Sequence, residues 1–179
     1  MEIVKKDSDK GKQLKKITKL ENEIRGSYLN QSIHIEGLIG DIISRYFCIE
    51  EKRRKLLFSI VITESNLSFH KKVEILKKII ELQYPDMKVA YPTLIDTLEQ
   101  KIIPFRNRLA HSMLDNSEDF LAKNYPDRIR LTFYKQGLAK SQDITTSDIE
   151  KRLGIGFEVV TQLMEIQQLV IERTTKFEQ

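Results

Sequence analysis

The sequence predicts a mainly α-helical bundle with one small β-hairpin ahead of the last helix. Three observations carry this. Apolar residues recur at helical spacing along most of the chain. Glycine and proline are scarce, seven and four in 179 residues, so few positions break those helices. One stretch, "RIRLTFYK" at 128–135, switches to alternating apolar and polar side chains, the period of a half-buried strand.

The elements follow in chain order. From about Lys12 to Phe47, Ile17, Leu20, Ile24, Tyr28, Ile35, Leu38, Ile42 and Tyr46 mark the inner face of one long helix, or of two broken near Gly26. Tyr28 and Tyr46 read as the edge of the core. A second helix is expected over roughly residues 51–63, with Leu56, Leu57, Ile60 and Val61 inward. "ESNLS" breaks it, and Asn66 or Ser68 is placed to cap a third helix over about 69–83. That helix turns Phe69, Val73, Leu76, Ile79 and Ile80 inward and Lys71, Glu74 and Lys78 to water.

"YPDMKVAYP" reads as a loop, and a fourth helix runs from about Thr93 to Met113. Pro104 lies inside it. Lacking a backbone donor, it predicts a kink or a fresh helix start just ahead of Arg106. After the strand, "KQG" offers a turn and "LAKSQDIT" a returning strand, giving a hairpin over 128–144. Ser147 and Glu150 have capping-box spacing. They open a last helix to about Arg173, with Leu153, Phe157, Val160, Leu163, Ile166 and Val170 inward.

Composition bounds the function. The chain is 40% hydrophobic and 31% charged, which suits one soluble globular domain with a real core. The single cysteine, Cys48, rules out an intrachain disulfide and fits a reducing compartment; it reads as buried rather than reactive. Neither a signal peptide nor a membrane span is expected, so a cytoplasmic location follows. The net charge of +4 sits in residues 1–20, where seven lysines face Glu2, Asp7 and Asp9. The rest of the chain balances to zero. Residues 1–11 are therefore read as a flexible basic arm that could contact RNA, and 12–179 as a single helical domain. The "KRRK" run at 52–55 reads as a solvated helix face.

The stretch "PFRNRLAHSM" at 104–113 gathers Arg106, Asn107 and His111 on the fourth helix. Histidine takes or gives a proton near neutral pH. Arginine stays charged and grips a phosphate with two hydrogen bonds. Asparagine can orient an imidazole or bond a phosphate oxygen. Together they suit cleavage of RNA by its own 2′-hydroxyl without a metal. One chain brings one histidine to this stretch, and acid–base cleavage favours two proton-transfer groups. A symmetric dimer facing two copies of the helix would supply both, and Ala110 is small enough for close approach. No metal-ligand spacing is present: His34 and His70 lie on separate segments, and Glu36, two positions from His34, reads as solvent-facing. No metal or cofactor is expected.

"RNRLAH", Arg106 to His111, resembles the R-x4-H motif of HEPN domains, with Asn107 at the polar position that often follows the arginine. "IEGLIGDIISRYF" and "LSFHKKVEILKKII" also look like HEPN sequences ahead of that motif. The resemblance covers roughly residues 15–113. It implies a HEPN-like helical bundle working as a homodimer and a metal-independent endoribonuclease with a composite active site at the dimer interface. Arg106 and His111 match the catalytic pair, and Asn107 the supporting position. It further implies a toxin or antiviral defence role, with an RNA substrate, an antitoxin or defence-system partner and no membrane. One toxin branch extends the motif to H-x-Y, whose tyrosine a partner nucleotidyltransferase modifies. Met113 stands there in this chain, so that modification is not expected. Two other readings stay open: a non-catalytic HEPN module that binds RNA, nucleotide or a protein through Arg106 and Asn107, and a structural helical protein in which the motif is accidental. Burial of His111 within one subunit would favour the last.

Overall fold

The computed structural model describes residues 9–63 and 67–175. The chain is mainly α with a small three-stranded antiparallel sheet before the final helix, the fold class its periodicity predicts. In chain order the elements are α1 (Asp9–Phe47), α2 (Glu51–Leu56) running on as a π-helical turn (Leu57–Ile62), α3 (Phe69–Gln83), α4 (Pro85–Ala90) and α5 (Leu94–Thr97). A π-helical segment (Leu98–Ile102) then leads into α6 (Ile103–His111), followed by β1 (Met113–Leu114), α7 (Glu118–Ala122), β2 (Arg128–Lys135), β3 (Leu138–Thr145) and α8 (Thr146–Thr175). Residues 1–8 of the expected arm and the expected Asn66 cap lie outside the described residues, whereas Asp9–Gly11 form the first turn of α1.

The chain sorts into two compact units, one built from the chain up to Asn30 with Phe105–Gly154, the other from Gln31–Pro104 with the chain from Ile155 onward. No linker in the sequence marks the division, because each unit is assembled from distant segments and α1 and α8 contribute to both.

In the second unit, Ile35, Ile39, Ile42 and Ile43 of α1 share one core with Val73, Leu76, Ile79 and Ile80 of α3, Leu98 and Ile102, and Val159, Leu163, Ile166 and Val170 of α8. Each of these fully buried aliphatic side chains contributes roughly 1.5–3 kcal/mol of transfer free energy. The Ser68 hydroxyl accepts from the Lys71 amide at 3.3 Å and caps α3 as expected. Lys72, 5% exposed, reaches Glu36 at 2.6 Å, so Glu36 serves an ion pair rather than open solvent.

Several expectations are corrected here. "YPDMKVAYP" holds α4, with Pro85 in the first turn, where its missing donor costs nothing. The α2 face is rotated: Leu56, Ile60 and Val61 are exposed, and Ile62 is buried. Through the π-helical turn residues five apart share a side, so Ile62 joins half-buried Leu57 on the inside where a period of 3.6 chooses Ile60 and Val61. Gly40 permits the approach: a Cβ there would stand 2.7 Å from Ile62 Cγ2 and 3.2 Å from the Phe58 ring. On α8, Val159 is buried and Phe157 exposed.

In the first unit, Ile17, Ile24 and Tyr28 of α1 pack with Phe105 and Leu109 of α6, Phe120 and Leu121 of α7, Ile129 and Leu131 of β2, Ile144 of β3 and Ile149 of α8. α1 runs through Gly26 without a break. Tyr28 is 1% exposed, hence core rather than edge, and meets Phe105 edge to face at 4.7 Å between ring centroids. The hairpin pairs Ile129 with Ile144, Leu131 with Gln142 and Phe133 with Lys140. It turns at Gln136 and Gly137, whose φ values of +53° and +76° match the positive pair that a two-residue hairpin turn requires. The sequence pattern leaves out β1, which pairs Met113 with Thr132 and Leu114 with Leu131, and also the short α7. Strand-like pairing at Met113 also ends the preceding helix two residues earlier than expected. The cap of α8 is Thr145 with Asp148, not Ser147 with Glu150. The Thr145 hydroxyl accepts from the Asp148 amide at 3.1 Å, and Asp148 accepts from the Thr145 amide at 3.1 Å. Pairing of Thr145 with Arg128 holds the chain extended at that point, so the helix must begin at the next residue.

Candidate functional site

The motif occupies the last two turns of α6, within the first unit. Phe105, Leu109 and Ser112 fall four and three residues apart on one side and are buried. That anchors the helix and sets what the remaining side chains do. Arg106 and Arg108 flank the buried side and are half-buried, while Asn107, Ala110 and His111 are exposed. Pro104 is the second residue of α6, so a fresh α-helical start stands just ahead of Arg106, as expected. The π-helical segment ends before it, with the Ile103 amide bonding back to Leu98. In the first turn the donor that Pro104 lacks is not needed for α-helical bonding.

Arg106 donates from Nη1 to Asn107 Oδ1 at 3.0 Å. His111 is the final helical residue and points to solvent, so it is not a satisfied core histidine. Arg106 and His111 differ in direction by roughly 140° at about 3.6 residues per turn. One chain therefore presents the pair on two flanks of α6, with Asn107 between them.

The C-terminus of α6 is clamped by a residue the motif does not include. Arg25 of α1 donates from Nη1 to the carbonyl oxygen of Leu109 and from Nη2 to that of Ser112, the latter at 2.7 Å. These are the carbonyls a helix end leaves without partners. Arg25 is itself held by Glu21 at 2.7 Å. The Glu21–Arg25 spacing is visible in sequence, but its target lies more than eighty residues away. The Ser112 hydroxyl is buried with no partner among the described residues.

Arg108 faces the hairpin. Its Nη1 donates to Gln142 Oε1, and its guanidinium carbon lies 5.3 Å from the Phe133 ring centroid. Behind it, Arg130 bonds Asp143 from Nε at 2.5 Å and from Nη2 at 3.1 Å, and this bond holds the Asp143 carboxyl below its ordinary range. Beneath α6, Arg152 lies over Phe105, 3.9 Å from the centroid. Burial pushes the Tyr28 hydroxyl up to about 12, against an opposing pull from Arg152.

His34 is exposed, and exposed His70 lies 3.3 Å from Glu74 on its own helix. Cys48 is half-buried with Sγ 3.7 Å from the Glu50 carbonyl. Within "KRRK", Lys52, Arg53 and Lys55 are exposed, as the expected solvated face requires, while Arg54 is half-buried; Arg53 pairs with Glu50 at 2.9 Å and Lys55 with Glu51 at 2.7 Å. Among the described residues no group of three or more His, Cys, Asp or Glu side chains could hold a metal, and no helix is long and apolar enough to cross a membrane. Comparison of the chain with protein families, curated proteins and solved structures gave no match.

Proposed function

We propose that this protein is a metal-independent endoribonuclease of the HEPN type, cytoplasmic, acting as a homodimer in a toxin or antiviral defence role. The observation that carries the reading is the presentation of the motif. Asn107 and His111 are exposed on a helix anchored from behind, and the Arg106 guanidinium is oriented by an amide, with no carboxylate partner among the described residues. A helix that used these residues for packing would bury or neutralise them.

The chemistry follows from the groups. The imidazole of His111 takes the proton of an RNA 2′-hydroxyl, and the 2′-oxygen attacks the adjacent phosphorus. The bond from phosphorus to the 5′-oxygen breaks, and the leaving oxygen takes a proton from His111 of a second copy. Arg106 grips the non-bridging oxygens as their charge builds, and Asn107 fixes the Arg106 fork. The products carry a 2′,3′-cyclic phosphate and a 5′-hydroxyl. A dimer supplies the second His111 that this scheme uses.

The test is cleavage of a mixed RNA pool in EDTA by wild type, His111→Ala and Arg106→Gln, with product ends mapped. Cyclic-phosphate ends from wild type alone support the reading. RNA binding without cleavage under any condition that releases a bound partner would replace it with the non-catalytic binding module.

A further inference from the structure

The arginine of α6 closest in direction to His111 is not Arg106 but Arg108. Three residues separate Arg108 from His111, about 60° round the helix, so their side chains are neighbours on one face. Arg108 also differs from most arginines of this chain in what holds it. Arg25, Arg45, Arg53, Arg128, Arg130 and Arg173 each lie within 4.0 Å of a carboxylate. Arg108 has no carboxylate partner among the described residues; its fork is held by the Gln142 amide oxygen and laid against Phe133. A carboxylate would cancel the charge. A neutral amide orients the guanidinium and leaves the charge whole, with four of its five donors free of Gln142.

The hairpin extends this surface. Gln142 pairs with Leu131 and Lys140 with Phe133, so Gln142, Phe133 and Lys140 share one face of the strands, because directly paired residues and those two apart point the same way. Lys140 is exposed and without an ion pair among the described residues. His111, Arg108, Phe133 and Lys140 therefore form a run with two uncancelled cations and an aromatic ring between them. That is the composition of a single-stranded nucleic-acid track.

We infer that Arg108 and Lys140 hold the backbone phosphates of a single-stranded RNA beyond the nucleotide at His111, with Gln142 positioning the Arg108 fork. The inference rests on the ribonuclease reading of the same helix. It gives the hairpin a substrate-binding task, and Arg108 is a binding residue rather than a proton-transfer group.

Gln142→Glu separates this task from a purely structural one. The substituted side chain has the same shape and still holds Arg108, but it cancels the charge. In the full chain carrying His111→Ala, which prevents cleavage, binding of a labelled mixed-sequence 12-nucleotide RNA is followed by anisotropy across a salt series. The expected result is about tenfold weaker binding at low salt and a salt slope lower by roughly 0.7, one phosphate contact on a single strand, with thermal stability kept or raised. Lys140→Gln, at an exposed site that cannot unfold the protein, is expected to weaken binding several-fold and to lower the slope similarly. If both variants bind as the parent does while wild type cleaves RNA in EDTA, the inference is overturned and the ribonuclease reading stands. If the parent binds no RNA and wild type cleaves none, both fall.

Discussion

Arg25 Nη2 lies 2.7 Å from the carbonyl oxygen of Ser112, and through this bond a residue of the first helix closes the end of the helix that carries His111. The Arg25 and Glu21 side chains are only 18% and 14% exposed, so the pair is largely withdrawn from water. Replacing Arg25 by Met leaves Glu21 without its partner and two helix-end carbonyls unsatisfied. The expected loss is about 2–3 kcal/mol in urea unfolding, with faster amide exchange at Ser112. RNA cleavage should fall by more than the unfolded fraction explains, because His111 sits on the turn that frays. Unchanged exchange at Ser112 would show that Arg25 does not set this terminus.

The two-histidine cleft predicts interference between chains. His111→Ala is expected to be inactive alone, and a dimer of one wild-type and one His111→Ala chain holds a single imidazole where the scheme uses two. When equal amounts of the two chains are unfolded and refolded together, about a quarter of the dimers are wild type on both sides, so activity per wild-type chain should fall to about half. Unchanged activity in a mixture shown to exchange subunits would mean that one His111 per site suffices.

Gly40 is the position where α1 yields to the π-helical turn. Gly40→Ala pushes a methyl to 2.7 Å from Ile62 Cγ2, closer than packed carbons stand, with the Phe58 ring on the other side. Overpacking of this kind costs typically 1–3 kcal/mol, more than the gain in helix propensity of about 1 kcal/mol. The melting temperature should fall. Gly26→Ala, where no atom lies within 4 Å of the new Cβ, should raise it, and a rise at both positions would contradict the close approach.

Tyr28 gives a pH dependence whose sign is set by burial. Its hydroxyl ionises near 12 in the folded protein and near the ordinary 10.0 when unfolded. The stabilisation is whole below pH 10 and is lost as pH rises toward 12, because the unfolded chain then binds fewer protons than the folded one. The two-unit difference corresponds to at most about 2–3 kcal/mol. Guanidinium unfolding at pH 9 and pH 11.5 should show a larger alkaline loss in wild type than in Tyr28→Phe. Equal losses would place the Tyr28 hydroxyl in contact with water.

Local patterning settles a large part of this protein. The Ile17–Ile24–Tyr28 and Phe69–Val73–Leu76–Ile80 stripes find the buried faces of α1 and α3 because an unbroken α-helix repeats every 3.6 residues. The alternation of Ile129 and Leu131 with Arg130 and Thr132 finds β2, and "KQG" finds its turn. "RNRLAH" names Arg106, Asn107 and His111 through the resemblance to HEPN domains, and exposure of Asn107 and His111 leaves them free for the chemistry proposed.

What the linear pattern cannot hold is anything that depends on a second segment. A π-helical turn changes the period, so Ile62 replaces Ile60 and Val61 on the inner side of the Leu57–Ile62 segment. Thr145 becomes the cap of α8 because β3 holds it extended beside Arg128. Arg25 meets the end of α6, and Arg108 meets Gln142, across 84 and 34 residues of chain. The sequence by itself determined the helical class, the hairpin and the motif, since those rest on contacts between near neighbours. The tertiary structure alone decided that Arg108 is held by an amide rather than a carboxylate, because Gln142 reaches it only across 34 residues of chain.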